Sequence, residues 1–438
     1  MLMPTRPQPA AYQVNGRAFA HIAHFHPELT AFRRDLHAHP EIARTELRTT
    51  RIVADRLRLA GLSPKLLPGT GLVCDISPDE LSTGIDEAAC GRLALRADLD
   101  ALAMADEKSV TYRSQVPGVS HACGHDVHTT IVLGTALYFA HHRDQLTGPV
   151  RFIFQPAEER VPGGALDVIT DHGLDGVDAI VGLHCEPKLD VGTIGLKTGA
   201  ISSAADLAVI TLTGPGGHTA RPELTVDMVS LAARIVADLP ARVAARVRRF
   251  DQEPDPLVKL VFGAIHAGDA ANVIPTQCVL KASIRTPSLP VWDELPAAFD
   301  HELRSLIEGS GATLHVLYTH GVPPVVNDAE VTRIVGEAAA VAFGHESIEA
   351  AQQSWGGDDF AWFTREVPGT YVRLGVRSPG GPTLDLHAGH FDVDERAITI
   401  GVRLLTATVE RHFADRSSVA IPTAAAAGAG AAATATGS

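Results

Sequence analysis

Apolar positions along the chain follow two rhythms. In TELRTTRIVADRLRLAG (45–61), Val53, Leu57 and Ala60 recur on one face, and Gly61 stands where a C-terminal cap belongs, so a helix is expected. Short uninterrupted runs, RLALRA (92–97), VRFIF (150–154) and AIVGL (179–183), read instead as buried strands. A further helix is expected after CGHD (123–126). Buried strands alternating with helices predict an α/β domain on a largely parallel sheet.

The rhythm changes near residue 200. DLAVITLT (206–213) alternates as a half-buried strand, and a helix is expected from Thr225 to Arg248. VKLVFGAIHA (258–267) and QCVLKASIRT (277–286) follow, then a second helix from Val291 to Glu308 and the strand ATLHVLYTH (312–320). The order β-α-β-β-α-β is that of a ferredoxin-like sandwich. The α/β signals then resume with a helix over 329–343 and the strand TYVRLGV (370–376). The expected architecture is a discontinuous α/β catalytic domain, 18–198 and 320–415, interrupted by an inserted α+β domain at 199–319. Residues 416–438, rich in Ala, Gly and Thr, are expected to be a disordered tail.

Composition narrows the function. A chain of 438 residues with 45% hydrophobic and 20% charged content is expected to fold into two or more globular domains. With 37 basic and 51 acidic residues its net charge is −14, and no basic stripe is present. Nucleic acid and anionic membranes are therefore not the expected partners. No apolar run is long enough to span a bilayer, and the opening MLMPTRPQPAAYQV lacks the apolar core of a signal peptide. Five scattered cysteines imply no disulfide framework, so a reducing, cytoplasmic setting is expected.

The chemistry concentrates in SHACGHDVHT (120–129). Ligands in open α/β sheets bind beyond the carboxyl ends of strands, and several apolar runs here lead into polar donors. RLALRA runs into Asp98, VRFIF is followed by Glu158 and Glu159, and AIVGL ends at His184. His387 follows another short apolar segment. Residues two apart face opposite sides of a helix, so Cys123 and His125 can converge only in a turn before one. Thiolate, imidazole and carboxylate donors from separate segments favour a metal site. A cysteine nucleophile with a histidine base, or a non-catalytic metal- or ligand-binding protein, remains open on these residues alone.

The motifs RRDLHAHPE (33–41), RADLDAL (96–102), HACGHD (121–126), FQPAEE (154–159), GLHCEP (182–187), GGHTARP (216–222), NVIP (272–275), VPGTYVRLG (367–375) and LHAGHFD (386–392) occur in this order. Over about residues 28–412 the chain resembles the hippurate hydrolase and auxin-conjugate amidohydrolase branch of the aminoacylase–carboxypeptidase metallopeptidase family. The resemblance implies two divalent metal ions, Zn²⁺, Mn²⁺, Co²⁺ or Ni²⁺, held by Cys123, His125, Glu159, His184 and His387. It implies Glu158 as general acid and base, with Asp98 and Asp126 orienting the ligands. An N-acyl amino acid would be the substrate, its carboxylate on Arg285, its backbone oriented by Asn272 and its oxyanion met by His218. It also implies that the inserted domain serves as a lid and pairs two copies into a homodimer. Three positions depart from the family pattern: Ala103 and Gly389 stand where proline is common, and Asp358 where glutamate is usual. All three adjoin the expected site, so substrate preference is expected to differ from that of the relatives.

Overall fold

The computed structural model describes residues 22–78, 91–251 and 257–419. The first part of the chain forms α1 (His26–Ala38), α2 (Leu47–Leu59), β1 (Lys65–Leu66), β2 (Leu72–Ile76), β3 (Arg92–Asp98), α3 (His125–His141), β4 (Val150–Gln155), α4 (Ala165–Thr170), β5 (Val177–Asp190) and β6 (Ile194–Leu196). There follow β7 (Gly199–Ala200), β8 (Ala205–Thr213), β9 (Gly217–His218), α5 (Met228–Val247), β10 (Lys259–His266), β11 (Val273–Ile274), β12 (Gln277–Arg285), α6 (Leu289–Ile307) and β13 (Thr313–Val322). The last part supplies β14 (Val326–Asn327), α7 (Ala329–Phe343), β15 (Ile348–Ala350), α8 (Phe360–Glu366), β16 (Gly369–Arg377) and α9 (Arg396–Val419). That last helix takes in 416–419, the first residues of the expected tail; the remainder of the tail lies outside the described residues.

Strands from the first and last parts share one sheet in the order β1-β2-β4-β3-β5-β16-β6-β15. Its centre, β4-β3-β5-β16, is parallel. The flanks are mixed: β1, β2 and the β6–β16 pair run antiparallel to their neighbours, while β15 runs parallel to β6, so the expected largely parallel sheet carries antiparallel steps outside its centre. The antiparallel steps arise where short connections, such as the one between β1 and β2, turn the chain straight back without a crossover helix. β4 is buried at every position, as a strand covered on both faces must be. α3 explains its own burial: residues 125–139 are all buried, because it runs beneath the sheet between α1 and α9.

β8, β10, β12 and β13 form a second, wholly antiparallel sheet in the order β10-β12-β8-β13. Here burial alternates along β8 and β12, since one face packs on α5 and α6 and the other is open. Met228, Ile235, Leu239, Trp292 and Phe299 give this unit its own core. α5 begins at Met228, later than the periodicity indicates, because Pro222–Leu224 form a separate 3₁₀ turn and the Asp227 side chain caps the Ser230 N–H at 3.0 Å. α2 buries Val53 and Leu57, and Gly61 follows it at φ +79°. No helix among the described residues is long and apolar enough to cross a membrane.

One ion-pair node locks α1 to the site. Arg33 on α1 is fully buried and lies 2.7 Å from Asp126, 3.2 Å from Asp392 and 3.3 Å from Glu395. Burial opposes the charge on Asp126, but Arg33 and His37 hold its carboxyl well below the usual carboxylate range. A carboxylate so depressed adds stability above the unfolded pKa of ~3.9, and that stability is lost as pH falls through the folded value. Arg33→Met leaves Asp126 buried without its cation and is expected to cost about 3–5 kcal/mol at pH 7. Urea denaturation should show the gap from wild type narrowing as pH is lowered towards ~3, and Arg33→Met/Asp126→Asn regaining part of the loss. An undiminished gap at low pH would show that Asp126 is not the group left stranded.

Candidate active site

The carboxyl ends of β3, β4 and β5 open into one cleft of about 330 Å³, whose wall includes Cys123, Glu158, Glu159, His184 and His387. The HACGHD loop enters it through Gly124, which caps α3 at φ +84°. A side chain there would put its Cβ 2.8 Å from Cys185 Sγ, so glycine is required by both backbone and space. Because α3 starts at His125, Cys123 lies before the helix and His125 in its first turn. Cys123 therefore lines the cleft, and His125 lies within reach of Cys123 and His184.

Each histidine offers the same atom. His125 donates Nδ1–H to the Asp100 carbonyl at 2.9 Å and His184 donates Nδ1–H to the Cys185 carbonyl at 2.7 Å, which leaves Nε2 of each turned to the site. Cys123 Sγ lies 3.4 Å from His184 Nε2, and His387 Nε2 lies 3.2 Å from Glu159 Oε1. Among the groups of donor atoms that lie within 4.8 Å of one another, two contain Cys123: Cys123 with His125 and His184, and Cys123 with Glu159 and His387. His125 Nε2 is buried with no hydrogen-bond partner among the described residues, a costly state for a polar atom unless a ligand completes it, and Glu159 Oε1 is met by His387 Nε2.

The frame that holds these groups is polar and specific. The two oxygens of Asp100 accept the backbone N–H of Glu158 and of Glu159, each at 3.0 Å. Glu46, fully buried, accepts the Ala157 N–H at 2.8 Å and the Thr70 hydroxyl at 2.7 Å. Ala157 itself sits at φ +53° and His387 at φ +55°, left-handed conformations that non-glycine residues adopt at a cost. His387 is further fixed by its N–H to the Ala122 carbonyl at 2.8 Å.

Electrostatics set the site's demand. Glu158 has a side chain only 9% exposed; burial, then Asp358 and Glu159, push its carboxyl well above the usual carboxylate range. Burial opposes a charge on His125, yet Asp98 and Asp100 outweigh it and raise its pKa to about 10. Burial and the neighbouring carboxylates Glu159 and Glu158 drive the Cys123 thiol well above its ordinary value. A cation is what this cluster prefers, and a free thiolate is what it disfavours.

The expected residues do not all meet. His184 lies within β5 rather than at its end, because that strand continues to Asp190; its pairing with β3 stops at Gly182, two residues before His184. His387 follows a turn, not a strand. Asp98 accepts from His128 Nδ1 at 2.7 Å and pairs with Arg96 at 2.6 Å, and it lies 3.7 Å from His125 Nε2. Asp126 bonds to His37 at 2.7 Å and pairs with Arg33. Asp98 thus stands in a donor group with His125 and His128, whereas charge pairing with α1 has taken Asp126. Arg285 lines the cleft, whereas His218 and Asn272 do not. The latter two are exposed neighbours on the β9–β11 ribbon, where Thr219 N–H meets the Asn272 carbonyl at 3.2 Å. Sequence reasoning missed Asp100, Glu46 and His128. His128 stands one turn after His125 on α3, a spacing that marks a shared face; its Nε2 accepts the Cys185 N–H at 2.9 Å and ties β5 to α3.

With this geometry in view, the sequence profile of peptidase family M20/M25/M40 matches residues 94–411. The chain belongs to this family. Among relatives of this family member, a Rhodococcus jostii protein provisionally named glutamate–cysteine ligase 2-3 is 42% identical over 381 residues, 87% of this chain and 46% of that protein. The chain thus spans about half the length of that relative. The N-acetylcysteine deacetylase of Bacillus subtilis is 32% identical over 404 residues, 91% of this chain and 98% of the deacetylase. A crystal structure of a Bacillus subtilis M20 peptidase described as binding a dinuclear metal is 30% identical, with a TM-score of 0.73 over 89% of this chain and 98% of that one. The mixed α/β fold is that of M20 peptidases, and this member belongs among their hydrolases.

Proposed function

We propose that the protein cleaves the amide bond of N-acyl amino acids of the hippurate-like class, with two divalent metal ions and Glu158 as general acid and base. The observation that carries this reading is the pair of donor groups sharing Cys123, with His125 Nε2 buried and otherwise unsatisfied among the described residues. Cys123, His125, Glu159, His184 and His387 would hold the ions, and their mixed S, N and O set suits Zn²⁺, Mn²⁺, Co²⁺ or Ni²⁺. When bound, the ions supply Lewis acidity towards the carbonyl and lower the pKa of water.

The chain's own groups do the rest. Glu158, with its raised proton affinity, takes the proton of the attacking water and returns it to the leaving amine. Arg285 receives the substrate carboxylate. The anionic surroundings of Cys123 oppose its use as a nucleophile. His218 and Asn272 are proposed to act from the second copy of a homodimer joined through the inserted unit, which would serve as a lid, because in this chain they stand outside the cleft. A cytoplasmic setting belongs to the same proposal.

Chelator-treated protein should lose hydrolysis of N-benzoylglycine and regain it with Mn²⁺ or Zn²⁺; full activity in metal-free protein ends the reading. Glu158→Gln should keep its metal and lose about 10²–10⁴-fold in kcat, while Glu159→Gln should lose metal by elemental analysis. Equal losses of activity with metal retained in both would reverse the assigned roles. For the shared site, His218→Ala and Glu158→Ala are unfolded and refolded together. Half the dimers are then mixed and each has one complete site, so about a quarter of wild-type activity should return. A dead mixture containing verified heterodimers excludes a shared site.

A further inference from the structure

Four arginines among the described residues are buried: Arg33, Arg96, Arg151 and Arg373. Three of them carry carboxylates. Arg33 meets Asp126, Arg96 meets Asp98 and Asp359, and Arg151 meets Asp75. Arg373 is 8% exposed, and its contact among the described residues is the Tyr371 ring, 5.5 Å from its guanidinium carbon. Among those residues its side chain has neither an acidic partner nor a hydrogen bond. Its guanidinium opens into the cleft that Arg373 lines, where an anionic group can meet it.

Its register explains why. On β16, Arg373 is the parallel partner of His184 on β5, so the two side chains leave the sheet on the same face. Arg285, on the same cleft, is held by Ser283 Oγ and the Trp355 carbonyl, each at 3.4 Å. Among the described residues it too has no carboxylate within ion-pair distance. The cleft therefore presents two guanidiniums, and a substrate with a single carboxylate can satisfy one of them.

We infer that Arg373 is a specificity-determining residue that binds a second carboxylate of the substrate, so that the preferred substrates are N-acyl amino acids bearing two carboxylates. This rests on the amidohydrolase reading above and narrows it. Arg285 takes the carboxylate next to the scissile amide, and Arg373 the other, on either the amino-acid side chain or the acyl group. A guanidinium matches a carboxylate with two parallel hydrogen bonds, and it distinguishes an acid from the isosteric amide by charge.

The test uses two isosteric pairs on Mn²⁺-loaded protein: N-acetylglutamate against N-acetylglutamine, and N-succinylglycine against N-succinamoylglycine. The acid of one pair should exceed its amide in kcat/KM by at least about tenfold, and that pair identifies the source of the second carboxylate. Arg373→Met should bring the ratio to within about twofold, and Arg373→Lys should keep part of it. A merely structural role would lower both members of each pair equally and leave the ratio unchanged, which overturns the inference. So does the absence of an acid preference in both pairs for wild type. If N-benzoylglycine is hydrolysed and none of the four compounds is, the inference is overturned; if N-benzoylglycine and all four are left intact, the amidohydrolase reading fails. The inference is then decided by calorimetric binding of the same compounds: an acid-over-amide ratio that Arg373→Met abolishes supports it, and a ratio absent in wild type or unchanged in the variant overturns it.

Discussion

Buried negative charge is the constraint around which this molecule is built. Asp98, Asp358 and Asp359 are buried at the mouth of the central sheet beside Glu158 and Glu159, and Arg96 pairs with all three aspartates. That leaves Glu158 and Glu159 without an arginine in ion-pair contact among the described residues, in a poorly solvated space. The excess is visible in the raised proton affinities of Glu158 and His125. Cations relieve such a cluster, and the soft donors gathered at its edge select which kind.

The scaffold keeps that charge in place by backbone contacts rather than by side-chain packing alone. Asp100 grips two successive amides of the loop after β4 and lends its carbonyl to His125. Glu46 reaches from the start of α2 to the amide just before Glu158. His128 bridges Asp98 and the β5 backbone. Each contact joins two different segments, so a shift in one strand end is transmitted to the others. Such over-determination is what lets Ala157 and His387 persist at positive φ.

Much of the site was legible because its residues sit where strands stop. Asp98 closes β3, and Glu158 and Glu159 follow the buried β4, positions that an apolar run followed by acids marks on its own. The Cys-Gly-His turn was readable from the incompatibility of its spacing with a helix. What the chain's pattern did not disclose is partnership. Asp126 is next to the candidate ligand His125 in sequence but is claimed by Arg33 from α1, a pairing that only tertiary folding brings about. Asp100 and Glu46 act through contacts with distant segments, so neither periodicity nor local composition marks them. The antiparallel flanks of the sheet were hidden for the same reason, since a strand's direction follows from its connections and not from its burial.

The central claim is that the cleft holds two cations that share Cys123. Anomalous diffraction from crystals grown with Zn²⁺ or Mn²⁺ measures this most directly. The account predicts two peaks, one beside His125 and His184 and the other beside Glu159 and His387, each within reach of Cys123. A metal-replete crystal showing no peak within that cluster, or a single peak that leaves Cys123 unbound, would contradict it.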